Sequence, residues 1–316
     1  MAVVTTPTVE REMHLSLVPE LGTTWCRDVD PGSRRPALVL LHGGPGYNSE
    51  YLRRFEQFAH TGRRVVRYDQ IGGGRSAVAD HHYQPGTFSV EVFRRELAAL
   101  RAALGLDEVV LVGQSWGCML ALEHVLDGAD GVRGLVLMSG LASIEEWNAE
   151  TARLRSELPA EVREVLDTEI AAGRMDSPAF KAAYAVWERT HVLRLDPPPP
   201  WEADALALFE HDSRVYELTT GGAEFATGPE GSGAELGELT GWDVRPRLGE
   251  VRVPTLLLSG RFDEATPAVM STLHHGIAGS EWHVLEHSSH SCHSEEEALT
   301  MLLVADFMAR VETRTP

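Results

Sequence analysis

Gly113-Gln-Ser-Trp-Gly117 places a serine between two glycines with the spacing G-x-S-x-G. It follows the apolar run Val109 to Val112 and precedes a helical stretch, Cys118 to Leu126. A strand that turns sharply into a helix leaves such a serine exposed at the strand's C-terminal end, with helix N–H groups close by to stabilise negative charge. The pattern alone also occurs in plain turns. Its place after a buried strand is what assigns Ser115 as a nucleophile. A serine hydroxyl attacks a carbonyl carbon when a histidine takes its proton and an acid holds that histidine.

The acid and the base are expected further along the chain, at the ends of later strands. Thr255 to Ser259 is strand-like, and Gly260-Arg-Phe-Asp-Glu264 follows it, so Asp263 stands where the acid belongs. The next strand, Glu281 to Leu285, is followed by Glu286-His-Ser-Ser-His-Ser-Cys-His293. Of its three histidines, His287 is nearly on the strand and His293 begins the last helix. His290 lies far enough past the strand to fold back over the sheet edge, and it is assigned as the base. His42-Gly-Gly-Pro-Gly46, after the strand Ala37 to Leu41, supplies a loop whose backbone can approach a developing oxyanion. The two expected donors are the N–H groups of Gly44 and Trp116, each worth roughly 3 kcal/mol; His42 is expected to be structural. His287, His290, Cys292 and His293 could be mistaken for a metal site, but one short loop rarely completes a tetrahedral shell. No metal and no organic cofactor are expected.

These residues need a scaffold that brings strand ends together. Ala37–Leu41, Arg64–Tyr68, Glu108–Val112 and Leu135–Met138 are short apolar runs that alternate with helical patterns such as Ser89 to Leu104. Fully apolar strands alternating with helices predict a mostly parallel sheet covered on both faces. The pattern changes after about Gly140. Residues 144 to 218 are rich in Ala, Glu, Arg and Leu, with no convincing strand, and are interrupted by Asp196-Pro-Pro-Pro-Pro200. The expected organisation is a core of residues 1–140 and 241–316 with a mainly helical cap, 141–240, over the Ser115 edge of the sheet. Trp147, Trp187, Trp201 and Tyr216 are candidates to line a pocket beneath it.

Composition narrows the class. The 316 residues carry 28 Lys plus Arg against 47 Asp plus Glu, a formal net charge of −19. Nucleic acid and anionic membrane both require a basic face and are disfavoured; a cationic or neutral small substrate is compatible. Three scattered cysteines, Cys26, Cys118 and Cys292, make no disulfide framework, which predicts a reducing, cytoplasmic location. The longest apolar runs are strand-sized, so no membrane span is expected, and the N-terminus lacks the features of a signal peptide.

Taken together, HGGPG at 42–46, DQIGGGRS at 69–76, GQSWG at 113–117, GRFDEATP at 260–267 and SSH at 288–290 resemble the proline iminopeptidases, or prolyl aminopeptidases, over nearly the whole chain. The resemblance implies an α/β-hydrolase fold with an inserted helical cap and a serine mechanism. It also implies carboxylates that hold the free amine of an N-terminal proline or small apolar residue. One family glutamate follows the catalytic Asp, which Glu264 matches. Another lies in a motif like N-G-P-x-E-F, which Gly221-Gly-Ala-Glu-Phe225 matches at Gly222, Glu224 and Phe225, so the role is carried to Glu224. Two departures stand out. Cys118 replaces the glycine that usually continues the elbow, and Gly221 and Ala223 replace the asparagine and proline before Glu224.

The expected activity is hydrolysis of the amide after a free N-terminal amino acid, in a small peptide or aminoacyl amide. Related amidases, and hydrolases that remove an aminoacyl group from a biosynthetic intermediate, would need the same amine clamp. An esterase or lactonase would not need Glu224 and Glu264, and a non-catalytic ligand-binding protein would not need the complete triad. Because serine, histidine and acid suffice for the chemistry, EDTA should leave turnover of an aminoacyl naphthylamide unchanged; activity lost to EDTA and restored by zinc would contradict this.

Overall fold

The structure, a computed structural model, describes residues 8–30, 32–220 and 237–313. Strands β1 (Val9–Leu15) and β2 (Gly22–Asp30) form an antiparallel hairpin at one edge of the sheet. Then come β3 (Ala37–Leu41), a 3-10 helix (Glu50–Thr61), β4 (Val65–Tyr68) and the two-residue β5 (Ala77–Val78). They are followed by α1 (Val90–Leu104), β6 (Val109–Gln114), α2 (Trp116–Leu126) and β7 (Val132–Met138). Five helices come next: α3 (Ile144–Glu157), α4 (Ala160–Ala171), α5 (Pro178–Trp187), α6 (Pro200–His211) and α7 (Arg214–Thr220). The chain returns to the sheet with β8 (Thr255–Gly260), α8 (Pro267–Gly276) and β9 (Glu281–Leu285), then ends in α9 (Cys292–Glu295) and α10 (Glu297–Thr313). The strand order is β1-β2-β4-β3-β6-β7-β8-β9, with β5 beside β2. All neighbours from β4 to β9 are parallel.

Burial on both faces explains why the central strands read as unbroken apolar runs. Val39, Leu41, Leu111, Leu135, Leu137 and Leu257 pack into one core with α1, α2 and α8. Their chain neighbours Leu38, Leu40, Val110, Val112, Val136 and Leu258 pack into a second core with the 3-10 helix and α10. The period-2 alternation of a strand sends adjacent side chains to opposite faces, so both must be apolar. Leu154, Leu158, Leu166, Phe180, Ala183 and Trp187 of the inserted helices form a separate small core.

Polar groups buried beneath the sheet edge fix the loop after β4. Asp69 is fully buried and accepts from the Ser49 N–H and Oγ and from the Arg75 N–H and guanidinium. Burial works to raise its pKa, but the Arg75 hydrogen bonds and charge outweigh it and hold Asp69 below the usual carboxylate range. Arg75 also reaches Glu50, at 2.9 Å, and stacks over the Trp25 ring. Glu96 of α1, also fully buried, accepts from the Ile71 N–H at 3.0 Å and from Thr24 Oγ1 of β2. It has no arginine to offset burial, which pushes its carboxyl from 4.5 up to about 8.

A carboxyl held protonated in the fold ionises at its ordinary value once the chain unfolds. The folded chain therefore binds the extra proton between about 4.5 and about 8. Stability falls as pH rises across that window, by about 1.4 kcal/mol per pH unit from this group, and levels off above it. Glu96→Gln mimics the protonated form. Urea midpoints between pH 5 and 9 should show the variant losing less stability than the parent as pH rises; parallel curves would refute the assignment.

Candidate active site

Ser115 sits at the turn between β6 and α2 with φ 54° and ψ −123°, a left-handed backbone that non-glycine residues rarely adopt. The turn closes because its flanking glycines carry no Cβ. At Gly117 a Cβ would lie 2.0 Å from the Leu41 carbonyl oxygen, and at Gly113 it would lie 2.4 Å from the Gly117 carbonyl oxygen. The cysteine that replaces the usual second glycine is accommodated from the other side. A Cβ at Gly140 would meet Cys118 Cβ at 2.7 Å, so the missing side chain at 140 makes room for the thiol. Cys118 is buried and bonds to the Gly113 and Met138 carbonyls, each at 3.3 Å, and burial drives its thiol pKa well up.

Asp263 and His290 come from the loops after β8 and β9. His290 Nδ1 lies 2.8 Å from Asp263 Oδ1. Asp263 is buried and also accepts from the Ala265 N–H at 2.8 Å and the Gly260 N–H at 3.3 Å, which fixes its carboxylate plane. The carbonyl of His290 accepts from Ser139 Oγ at 3.0 Å and Gln114 Nε2 at 3.3 Å. Ser139 directly follows β7 with φ 53° and shares with Ser115 a positive φ among the described non-glycine residues. Ser115, His290 and Glu264 line one cavity of about 650 Å³, together with Gly43, Gly44, Tyr51 and residues of the inserted helices. Ser115 and Gly44 also border a small apolar pocket of about 60 Å³ walled by Trp116, Met119, Leu141, Ile144, Trp147 and Leu239.

The loop after β3 has a fixed shape. Gly44 has φ 109°, and a Cβ there would lie 2.7 Å from the Tyr47 nitrogen. His42 is fully buried; its Nε2 accepts from the Gln70 N–H at 2.9 Å, so Nδ1 carries the proton and donates to the Gly43 carbonyl at 2.7 Å. Burial pushes the imidazole down to about 4, which keeps it neutral. His42 thus serves the loop, as expected. Trp116 is the first residue of α2, where a backbone N–H has no acceptor within the helix.

Glu264 is buried beside His290, with Oε1 3.8 Å from His290 Nε2 and Oε2 accepting from Trp187 Nε1 at 2.8 Å. Glu224, its expected companion, lies outside the described residues. The four His and Cys side chains of the 287–293 segment do not converge. His290 turns to Asp263, His293 lies 3.3 Å from Glu202, Cys292 is buried and His287 is exposed. Among the described residues, no group of three or more His, Cys, Asp or Glu could hold a metal ion, and no helix is long and apolar enough to cross a membrane. Of the four aromatic candidates, Trp147 and Tyr216 line the two cavities. Trp187 is buried behind Glu264, and Trp201 donates to Ser294 Oγ at 2.9 Å.

Sequence reasoning passed over Glu188 and His191. Glu188 lines the larger cavity, and burial raises its pKa. The His191 carbonyl accepts from both the Glu264 and the His290 N–H, at 3.3 and 3.1 Å, and its Nδ1 pairs with the Phe262 carbonyl at 2.8 Å. Glu188–Val192 is a π-helical turn, a form that favours functional sites. The one available signal was Trp187-Glu188 at the end of an apolar helical pattern, which carries no spacing rule.

An α/β-hydrolase fold model matches residues 36–297. Proline iminopeptidase of Lactobacillus delbrueckii subsp. bulgaricus is 32% identical over 287 residues, spanning 90% of this chain and 94% of that protein. Among solved structures, VinJ superposes with a TM-score of 0.86 at 33% identity, covering 96% of this chain and 99% of VinJ. Proline iminopeptidase of Mycobacterium smegmatis superposes with a TM-score of 0.84 at 32% identity, with the same coverage. The chain belongs to the proline iminopeptidase family of α/β-hydrolases, and it is a hydrolase.

The bond between Trp187 and Glu264 ties the inserted helices to the loop after β8. Trp187→Phe keeps most of the ring and removes the donor from a buried carboxylate, so unfolding free energy should fall by about 1–3 kcal/mol. Equal denaturant midpoints for variant and parent would show that this bond contributes nothing.

Proposed function

We propose that the protein is a serine hydrolase that cleaves the amide following a free N-terminal amino acid, proline or a small apolar residue. One observation carries the reading: a strained serine and a 2.8 Å His290–Asp263 pair open onto the same cavity as a buried glutamate beside the histidine. Ser115 Oγ attacks the carbonyl carbon as His290 Nε2 takes its proton, while Asp263 keeps the Nδ1 proton in place. The Gly44 and Trp116 N–H groups hold the oxyanion. Collapse of the tetrahedral adduct breaks the C–N bond, and His290 hands its proton to the departing amine. A water, deprotonated by the same histidine, then releases the amino acid from the acyl-enzyme.

The substrate's ammonium is held by Glu264 and Glu224. A protonated amine brought into a partly dry cavity loses hydration, and carboxylates must replace it. An acetylated amine leaves them unpaired and is rejected. The 141–240 segment acts as the cap, and its residues between Phe180 and Glu217 wall the cavity. The volume of about 650 Å³ favours one extension of the reading, a leaving group larger than a single amino acid, as in an aminoacyl amide of a larger molecule.

Ser115→Ala and His290→Ala should each abolish turnover, and Asp263→Asn should lower it by roughly four orders of magnitude. His287→Ala and His293→Ala should retain most of it. An active His290→Ala with an inactive His293→Ala would overturn the choice of base. On a panel of aminoacyl naphthylamides with Pro, Ala, Gly, Leu and Phe, free amines should be cleaved and N-acetylated versions spared. Glu224→Gln should lower kcat/KM strongly for these amides yet spare a simple acetate ester. Equal cleavage of acetylated and free substrates would hand the site to an esterase or lactonase.

A further inference from the structure

Two side-chain relays converge on the loop that carries Gly44, and neither belongs to the triad. In the first, Tyr51 of the 3-10 helix accepts from the Gly43 N–H at 2.6 Å and donates to Gln114 Oε1 at 2.7 Å. Gln114 passes the contact on through Nε2, which donates to the His290 carbonyl at 3.3 Å. In the second, Gln70 donates its backbone N–H to His42 Nε2 at 2.9 Å and its side-chain amide to the His42 carbonyl at 3.0 Å. The same amide's oxygen accepts from Trp116 Nε1 at 2.7 Å. Tyr51, Gln70, Gln114 and Trp116 are all buried.

Packing leaves this arrangement no slack. A Cβ at Gly43 would lie 2.7 Å from Gln114 Oε1, 3.2 Å from Ser115 Cβ and 3.3 Å from Tyr51 Oη. The loop, the elbow and the tyrosine therefore meet at one point. Gln70 joins the two segments that bear the proposed oxyanion donors, since His42 leads into Gly44 and the Trp116 indole anchors the residue whose own N–H is the second donor. Tyr51 joins the same loop to the elbow and, through Gln114, to the backbone of the base.

We infer that Tyr51 and Gln70 are positioning residues that set the spacing of the Gly44 and Trp116 N–H groups. This rests on the serine mechanism proposed above. Neither side chain needs to touch the substrate's reacting atoms. Each acts by holding a donor where the oxyanion forms, and a misplacement on the order of 1 Å costs about a hundredfold in rate.

The test begins with the parent protein. It must be labelled by a fluorophosphonate and must hydrolyse an aminoacyl naphthylamide; failure here sinks the serine mechanism and not the positioning inference. Tyr51→Phe and Gln70→Glu are then compared, with folded sites counted by the final extent of fluorophosphonate labelling. Tyr51→Phe removes only the hydroxyl. Gln70→Glu keeps the size and the acceptor for Trp116 but loses the donor to His42. The expected result is a kcat per labelled site lower by about tenfold to a hundredfold in each, with KM within about threefold. The pH-rate profile of Tyr51→Phe should not move, because His290 and Asp263 are untouched and no carboxyl is added; Gln70→Glu is compared with the parent at a pH high enough to ionise the new carboxyl. Affinity for an aminoalkyl boronate, which mimics the tetrahedral adduct, should fall in step with kcat. A parent-like kcat per labelled site, or a raised KM at constant kcat, would overturn the inference. If Tyr51→Phe does not fold, Gln70→Glu decides the matter alone.

Discussion

The carbonyl oxygen of Leu41 occupies the space where a side chain at position 117 would begin. That contact presses the first turn of α2 against the end of β3, and the site's geometry follows from it. β3 and β6 are parallel neighbours with Leu41 opposite Gly113, so the two loops that leave them start side by side. With α2 held down, Ser115 turns through a left-handed conformation to reach it, and the 42–46 loop passes close to the serine, where a Cβ at Gly43 would lie 3.2 Å from Ser115 Cβ. The same economy of atoms recurs at β8, where a Cβ at Gly260 would lie 2.3 Å from the Ser288 carbonyl oxygen. There it brings the loop of Asp263 against the loop of His290. Glycines at strand ends are what allow backbone to touch backbone at both places.

The acidity of the chain divides into two populations. Beneath the sheet edge, carboxylates are neutralised locally: Asp69 and Glu50 by Arg75, Glu50 also by Arg67 and Arg53, and Asp28 by Arg64 and Arg11. Pairing of this kind makes buried charge tolerable rather than strongly stabilising, because desolvation offsets much of the attraction. Around the larger cavity the balance differs. Glu188, Asp196, Glu202, Glu217 and Glu264 line it with a single arginine, Arg189, among its described lining residues. Walls of one sign with low-dielectric backing concentrate cations and repel anions. Five carboxylates against one arginine leave at most four of the chain's 19 net negative charges around the cavity, so most of the excess lies elsewhere and the cavity's sign is a local property.

What was legible in the sequence was whatever a short-range rule can encode. Ala37–Leu41, buried along its whole length, announces itself by uninterrupted apolar composition, and the edge strand Glu281–Leu285, buried only at Leu285, by its position; the observed bounds of both agree. The sharp turn at Ser115 and the carboxylate of Asp263, paired with His290, were legible because each stands at a fixed offset from a strand end. The hairpin β1–β2 was not. β1 is a largely exposed edge strand, so its residues, Val-Glu-Arg-Glu-Met-His-Leu, obey no burial pattern. In α1 the apolar spacing located the helix but hid an acid on its inward face, since Glu96 is buried beside Leu97 and Leu100. Tertiary partners on β2 and the loop after β4 admit that acid, and no local rule foresees them. Tyr51, Gln70 and His191 escaped notice for the same reason. Their roles are set by partners 8 to 99 positions away, through bonds to Gly43, Trp116 and His290.

The His191 carbonyl bears on how the inserted helices can behave. It accepts from the N–H of Glu264 and from the N–H of His290, and the next residue's carbonyl, at Val192, accepts from the Ser291 N–H at 2.9 Å. One irregular turn at the end of α5 therefore holds both the loop of Asp263 and the loop of His290. A lid that moved as a rigid body would have to break these bonds and the Trp187–Glu264 bond together, leaving buried N–H groups unpaired at a cost of about 1–3 kcal/mol each. The His290–Asp263 distance and the seat of Glu264 would change with it. The turn after α5 is thus part of the frame of the site. Any motion that admits a substrate while keeping the Asp263–His290 pair intact has to pivot elsewhere in the inserted helices, away from residues 187–192.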